Sequence, residues 1–242
     1  MELLAFALAP GIAIMWFIYL KDRYDREPLL ALVKSFFLGM LATIPAIILQ
    51  LTGNYFLKQI LPVSGWNYYF FFSFFVVALS EEFCKFAMVR MYAYPRPFFN
   101  EPFDGIIYGV MVAMGFATLE NIGYVMQNGI GTAFARMFLS VPAHATFGVF
   151  MGYYIGLARF THNRNSNFLI LRGLLLAILF HGLFDLFLFA QADGEITKHI
   201  SSGVLFGSAV FSYLVAVRLA WQAIKMHQAI SKNNYHSTEN QV

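Results

Sequence analysis

Acids and histidines stand inside segments of this chain that are otherwise apolar enough to cross a lipid bilayer. That combination restricts the fold more than any other feature. Ser80-Glu81-Glu82-Phe83-Cys84-Lys85 interrupts one such segment, Glu120 the next, His144 the one after, and His181 with Asp185 the one after that. A charge at the bilayer centre costs about 2.5–3.5 kcal/mol on insertion scales. Glu81, Glu82, Lys85, Glu120 and Asp185 turned to lipid would together cost on the order of 10 kcal/mol. They must face one another or a wet cavity, so a polar active site within the membrane is the first expectation.

Composition supports a membrane setting. Of 242 residues, 59% are hydrophobic and only 12% charged, and the mean hydropathy is +0.62. A soluble domain carries about twice that charged fraction. The formal charge of +3 gives no reason to expect a nucleic-acid partner. Cys84 is the only cysteine, so no intramolecular disulfide can form. Met1-Glu2 supplies no basic region ahead of the first apolar run, so a cleaved signal peptide is not expected.

The apolar pattern predicts an all-α polytopic bundle of about seven membrane helices. They cover Leu3–Leu20, Leu29–Leu51, Tyr68–Tyr92, Phe103–Gln127, Thr132–Phe160, Phe168–Ala192 and Gly203–Ile224. Lys21, Arg23, Arg26, Arg90, Arg96, Arg159 and Arg164 fall in alternate loops, and Lys225 and Lys232 follow the last span. The positive-inside bias then puts the N-terminus outside and the C-terminus inside. Residues 1–232 read as one helical domain and 233–242 as a polar, disordered cytoplasmic tail. Thr52–Asn67 reads as the longest outer connection, with room for a short interfacial helix. Tyr94-Pro95-Arg96-Pro97 marks an inner turn.

Spacing brings the polar residues toward one another. Glu81 and Lys85 are four apart and share a helix face, whereas Glu82 is turned about 100° from Glu81. Lys85 reaches either acid. One carboxylate is expected to be paired structurally and the other free for proton exchange. Phe116 and Glu120 share a face, with Asn121 beside them to orient the acid or satisfy a backbone group. Pro142 frees a carbonyl close to His144. His181 and Asp185 share a face, so the carboxylate can orient the imidazole. Gly182 leaves room beside the ring for another helix or a peptide. Counted from the outer ends, Glu81, His144 and His181 lie about 11–13 residues deep, and Glu120 and Asp185 about 7, a spread under about 10 Å. Asp104 reads as an anion at a helix N-terminus, and Arg136 as an interfacial anchor in preference to a substrate contact.

These residues resemble the PrsW family of intramembrane proteases, within a wider clan that includes CAAX-processing and bacteriocin-processing membrane proteases. Pro10-Gly11 with Lys21-Asp22-Arg23-Tyr24-Asp25-Arg26-Glu27-Pro28 looks like the family's N-terminal signature. Glu81-Glu82-Phe83-Cys84-Lys85 looks like its EExxK element and Phe116–Glu120 its FxxxE element. His144 and the His181–Asp185 HxxxD pair complete the set in order. CAAX-processing members usually carry His in place of Glu120 and Asn in place of Asp185, so prenylated substrates are not expected.

The resemblance implies peptide-bond hydrolysis in a bacterial cell membrane. The implied partners are the lipid bilayer and a single-span protein, such as an anti-sigma factor, cut near its extracytoplasmic side. Glu81, or Glu82, would be general base toward a water, assisted by His144. His181, held by Asp185, would stabilise the oxyanion or act as acid. Glu120 would complete the base network, and Lys85 would orient the acid pair.

Two alternatives stay open at this stage. A glutamate-type mechanism needs no cofactor, but His144, His181 and some of Glu81, Glu120 and Asp185 could instead ligate Zn²⁺. No HExxH is present. Intramembrane acids and histidines also serve proton-coupled transporters. The lack of an internal repeat weighs against that reading.

Overall fold

The computed structural model describes residues 2–161 and 165–239, which are helical with no strand among them. Arg164 of the expected inner loop lies outside the described residues. Helix α1 covers Glu2–Lys21 and α2 Leu29–Ile60. A continuous helical run follows, made of α3 (Gly65–Phe71), a π-helical stretch (Phe72–Ala78), α4 (Leu79–Met88) and a second π-helical stretch (Val89–Ala93). Then come α5 (Pro102–Asn128), α6 (Ile130–Phe138), α7 (Ser140–Phe160), α8 (Ser166–Ala190), the short α9 (Gly194–Thr197) and α10 (Ser202–Glu239).

Five of these, α1, α2, α5, α8 and α10, are long and apolar enough to cross a membrane. With them the chain is an all-α integral membrane protein. The expected spans at Tyr68–Tyr92 and Thr132–Phe160 are helical as well, but they carry the polar residues that lower their hydropathy.

Three boundaries differ from the sequence reading. Thr132–Phe160 is not one helix: it divides at Leu139, whose φ of −116° and ψ of −75° leave the helical path. Pro142 explains the break, because a proline ring clashes with the carbonyl four residues earlier and offers no N–H. Helix α2 does not stop at Leu51 but continues to Ile60, taking most of the expected outer connection. Helix α10 continues to Glu239, through residues expected to form an unstructured tail.

Helix α5 is the central element, with nearly every side chain from Pro102 to Thr118 buried. Its start is held by a reciprocal cap between Glu101 and Asp104, with Pro102 at the first turn. Asp104 Oδ2 accepts from the backbone N–H of Asn100 at 2.7 Å and of Glu101 at 2.8 Å.

Two glycine-lined seams let neighbours approach α5 closely. A Cβ on Gly152 of α7 would lie 2.1 Å from the Gly105 carbonyl oxygen, and one on Gly115 would lie 1.8 Å from the Phe36 carbonyl of α2. Gly105 and Gly109 on α5 face Gly148, Gly152 and Gly156 on α7, the small-residue spacing that packs membrane helices backbone to backbone. This seam ends near Glu120 and His144, so the tight approach of α5 and α7 sets how those two side chains meet. Gly182 on α8 plays a similar part, since its Cβ would lie 2.5 Å from the Phe74 ring. The room beside His181 is thus taken by the π-helical stretch, not by a peptide.

Candidate active site

Helix α4 projects Glu81, Glu82 and Lys85 into the interior, all nearly inaccessible. Lys85 Nζ lies 2.6 Å from Glu82 Oε1 and 3.6 Å from Glu81 Oε2. It also lies 3.2 Å from His144 Nδ1 on α7 and 4.5 Å from the centre of the Phe116 ring on α5. A lysine ammonium has three donors and no acceptor. It therefore donates to His144 Nδ1, and the neutral ring keeps its proton on Nε2. That N–H points at Glu120 Oε2, 2.9 Å away.

His181 on α8 sits on the other side of Glu82. Its Nδ1 lies 2.7 Å from Glu82 Oε1 and its Nε2 3.2 Å from Asp185 Oδ2. A ring with N–H on both nitrogens, the imidazolium, satisfies both carboxylates. Glu82 Oε1 thus receives Lys85 and His181 together. The Phe147 ring stacks on His181 with centroids 5.0 Å apart, and His144 meets His181 edge-on at 5.2 Å.

The two adjacent glutamates have different surroundings. Glu82 is the knot of the buried ion pairs. Glu81 is held by a single hydrogen bond, from Gln50 Nε2 of α2 to Oε1 at 3.0 Å. Glu81 Oε2 is buried with no hydrogen-bond partner among the described residues and lies 4.0 Å from His181 Nε2. Glu81 also lines a cavity of ≈290 Å³, together with Glu120, His144, His181, Asp185 and Arg136. The structure brings Glu81, Glu120, His144, His181 and Asp185 around this one space, with Glu82 behind them against Lys85 and His181.

Three contributors went unread in the sequence. Gln50 lies in an apolar stretch with no charged neighbour to flag it. Arg136, expected as an interfacial anchor, instead reaches Glu120 Oε2 at 2.7 Å through Nη2 and Asn121 Oδ1 at 2.9 Å through Nε. Gly129, whose φ of +79° turns the chain between α5 and α6, and the break before α7 together set α6 against the end of α5. Tyr124 lies under the Arg136 guanidinium, 4.3 Å from it, and lines the cavity. Asn121 donates to the Ala7 carbonyl at 2.8 Å, tying α1 to α5. Cys84 packs with Ala42, Ala46 and Phe116 as a small apolar residue.

One ligand atom from each of Glu81, Glu82, His144 and His181 lies within 4.8 Å of the others. Two carboxylates and two imidazoles fit a zinc-type ion in kind and separation. The set differs from the ligands expected from sequence, because Glu82 belongs to it. Glu120 and Asp185 instead back the two histidines, each accepting from a ring N–H. The Lys85 ammonium stands against the same atoms, so ion and ammonium compete for one negative pocket.

A helical membrane protein with glutamate–histidine pairs from four helices around one internal cavity falls in the class of intramembrane proteases. The comparisons agree. Residues 27–219 match a family model described as PrsW family intramembrane metalloprotease. Similar relatives include the protein named Protease PrsW of Bacillus subtilis (strain 168), 40% identical over 186 residues, covering 77% of this chain and 82% of that one. Its namesake in Geobacillus kaustophilus is 39% identical over 190 residues, covering 78% and 81%. That of Clostridioides difficile is 35% identical over 196 residues, covering 79% and 81%. No solved structure matches. The chain belongs to the PrsW family, and with that it is a membrane protease. The match begins at Glu27, so of the N-terminal stretch compared above only Glu27-Pro28 falls within it.

Proposed function

We propose that the protein is an endopeptidase that hydrolyses a peptide bond in a single-span membrane protein, such as an anti-sigma factor, near its extracytoplasmic side. In this reading all seven helical stretches cross a bacterial cell membrane, with the N-terminus outside. The observation that carries the mechanism is the contrast between the two glutamates. Glu82 Oε1 takes both Lys85 and His181, and Glu82 does not line the cavity, whereas Glu81 lines it and turns toward His181 an oxygen that has no hydrogen-bond partner among the described residues.

Glu81 Oε2 accepts a proton from a water in the cavity, and the water oxygen attacks the scissile carbonyl. Gln50 keeps the other carboxylate oxygen occupied, so the free oxygen faces the nucleophile. His181, charged and held by Asp185 and Glu82, supplies positive charge to the developing oxyanion, and Glu81 returns the proton it took from water to the leaving amine as the C–N bond breaks. His144 and Glu120 form a second histidine–carboxylate pair on the opposite wall, steered by Lys85 and Arg136. Reconstitution with a single-span peptide tests the reading. Cleavage by the wild type and none by Glu81→Gln or His181→Ala is expected, and wild-type turnover in both variants would end the assignment.

A second reading is favoured by the 4.8 Å grouping of donor atoms and by the family's description. Glu81, Glu82, His144 and His181 would hold the ion, which would supply Lewis acidity to water or carbonyl. In that case Lys85 would give up its place against Glu82 and His144.

A further inference from the structure

A second cavity adjoins the catalytic one. It has ≈370 Å³ and runs between α2 and α5, with Thr43, Ile47, Phe116, Leu119 and Gly123 along it. Its wall includes Gln50, Glu81, Glu120 and Tyr124, which also line the catalytic cavity. The two spaces therefore meet at the carboxylate assigned as base. Ile47, Leu119 and Tyr124 are exposed at its edge, so the groove opens sideways, toward lipid, between two helices.

We infer that this groove between α2 and α5 is a substrate subsite that takes an apolar side chain next to the scissile bond. The inference rests on the hydrolase reading above. A substrate span must unwind to expose its carbonyl, and unwound backbone in a membrane is tolerated only where polar groups receive it. The groove supplies that pattern. Its lining is largely aliphatic and aromatic, while Gln50, Tyr124 and Gln127 stand along it with donors and acceptors. An extended segment would place one side chain among Ile47, Phe116 and Leu119, and present backbone N–H and C=O to the amides and the tyrosine hydroxyl. The next carbonyl would then lie at Glu81. A lipid acyl chain fits the apolar part but offers no hydrogen-bonding group to the inner wall, where Glu81 Oε2 has no partner among the described residues, a cost that a peptide does not carry. Apolar pockets with a few placed polar groups and volumes of about 300–1,000 Å³ are the usual form of such sites.

Gly123 provides a direct test, because a Cβ there meets nothing within 4 Å and a larger side chain can grow into the groove without displacing backbone. Single-span peptides carrying Ala, Leu or Phe at each residue flanking the cut would be presented to the full chain in proteoliposomes. Gly123→Leu should lower the kcat/KM ratio for the Leu over the Ala peptide by about 10-fold or more at one flanking position. Leu119→Ala should raise the Phe-to-Leu ratio at that same position. Independently, a photoreactive phenylalanine at position 119 in the Glu81→Gln protein should label the peptide, and unlabelled peptide should compete. Ratios unchanged in both variants, or labelling of phospholipid alone, would overturn the subsite while leaving the protease reading intact. A wild type that cleaves no peptide would remove both.

Discussion

Gln50 Nε2 donates to Glu81 Oε1 across 3.0 Å, tying α2 to α4 through the acid that faces the cavity. The bond leaves Glu81 Oε2 free and aims it. Gln50→Ala should therefore lower kcat for a single-span peptide by about 10-fold or more, as loss of an orienting partner does elsewhere, with a smaller change in KM. Steady-state kinetics separate the two parameters, and an effect confined to KM would assign Gln50 to binding alone.

Glu81 and Glu82 should respond differently to mutation. Glu81→Gln should cut the rate by about 10²-fold or more, the scale of a general base, with little loss of stability. Glu82→Ala strands Lys85 and one nitrogen of His181 in the interior and should destabilise the fold by about 3–5 kcal/mol. Thermal unfolding of the detergent-solubilised variants checks this. Equal destabilisation by the two changes would contradict the division of roles.

The α5–α7 seam is predicted to be intolerant of bulk. Gly152→Val places carbon where the Gly105 carbonyl lies, so the helices must separate. A stability loss of about 1–3 kcal/mol is expected for such overpacking. Activity should fall with it, because the Glu120–His144 contact lies along the same pair of helices. A variant with wild-type melting and turnover would show that the seam does not set the site.

Acids at the other end of α5 should make stability depend on pH. Burial pushes the Asp22 carboxyl up to about 6 and those of Glu27 and Glu101 up to about 7. Hydrogen bonds oppose the rise, from the Glu27 N–H to Asp22, from the Tyr108 hydroxyl to Glu27 and from the Ser231 hydroxyl to Glu101. The folded state then retains protons that the unfolded chain releases near pH ~4. Their contribution is complete below that pH and is lost as pH rises through about 6 to 7. The melting temperature should therefore fall between about pH 5 and pH 8, and Glu101→Gln should make the slope shallower. An unaltered slope in that variant would count against the assignment.

Metal removal distinguishes the two chemical readings. On the glutamate mechanism, cleavage should survive exhaustive chelation, and metal analysis of the purified protein should find less than one ion per chain. Loss of cleavage on chelation with recovery on adding Zn²⁺ would favour the ion held by Glu81, Glu82, His144 and His181.

The helical membrane class and the convergence of Glu81, Glu82, Glu120, His144, His181 and Asp185 were legible in the amino-acid order. Helical periodicity and the high cost of charge in lipid are local properties, so they constrain a fold before any neighbour is known. Which glutamate carries the close ion pairs and which lines the cavity was not legible. Adjacent residues on one helix differ in what the facing helices bring, here His181 of α8 to Glu82 and Gln50 of α2 to Glu81, with Lys85 of the same helix lying closer to Glu82. Arg136 and Gln50 were missed for the same reason. Their roles depend on α6 folding back over the end of α5, ahead of the break near Pro142, and on α2 packing against α4. Packing between distant segments decided these contacts, and no spacing along a single segment encodes it.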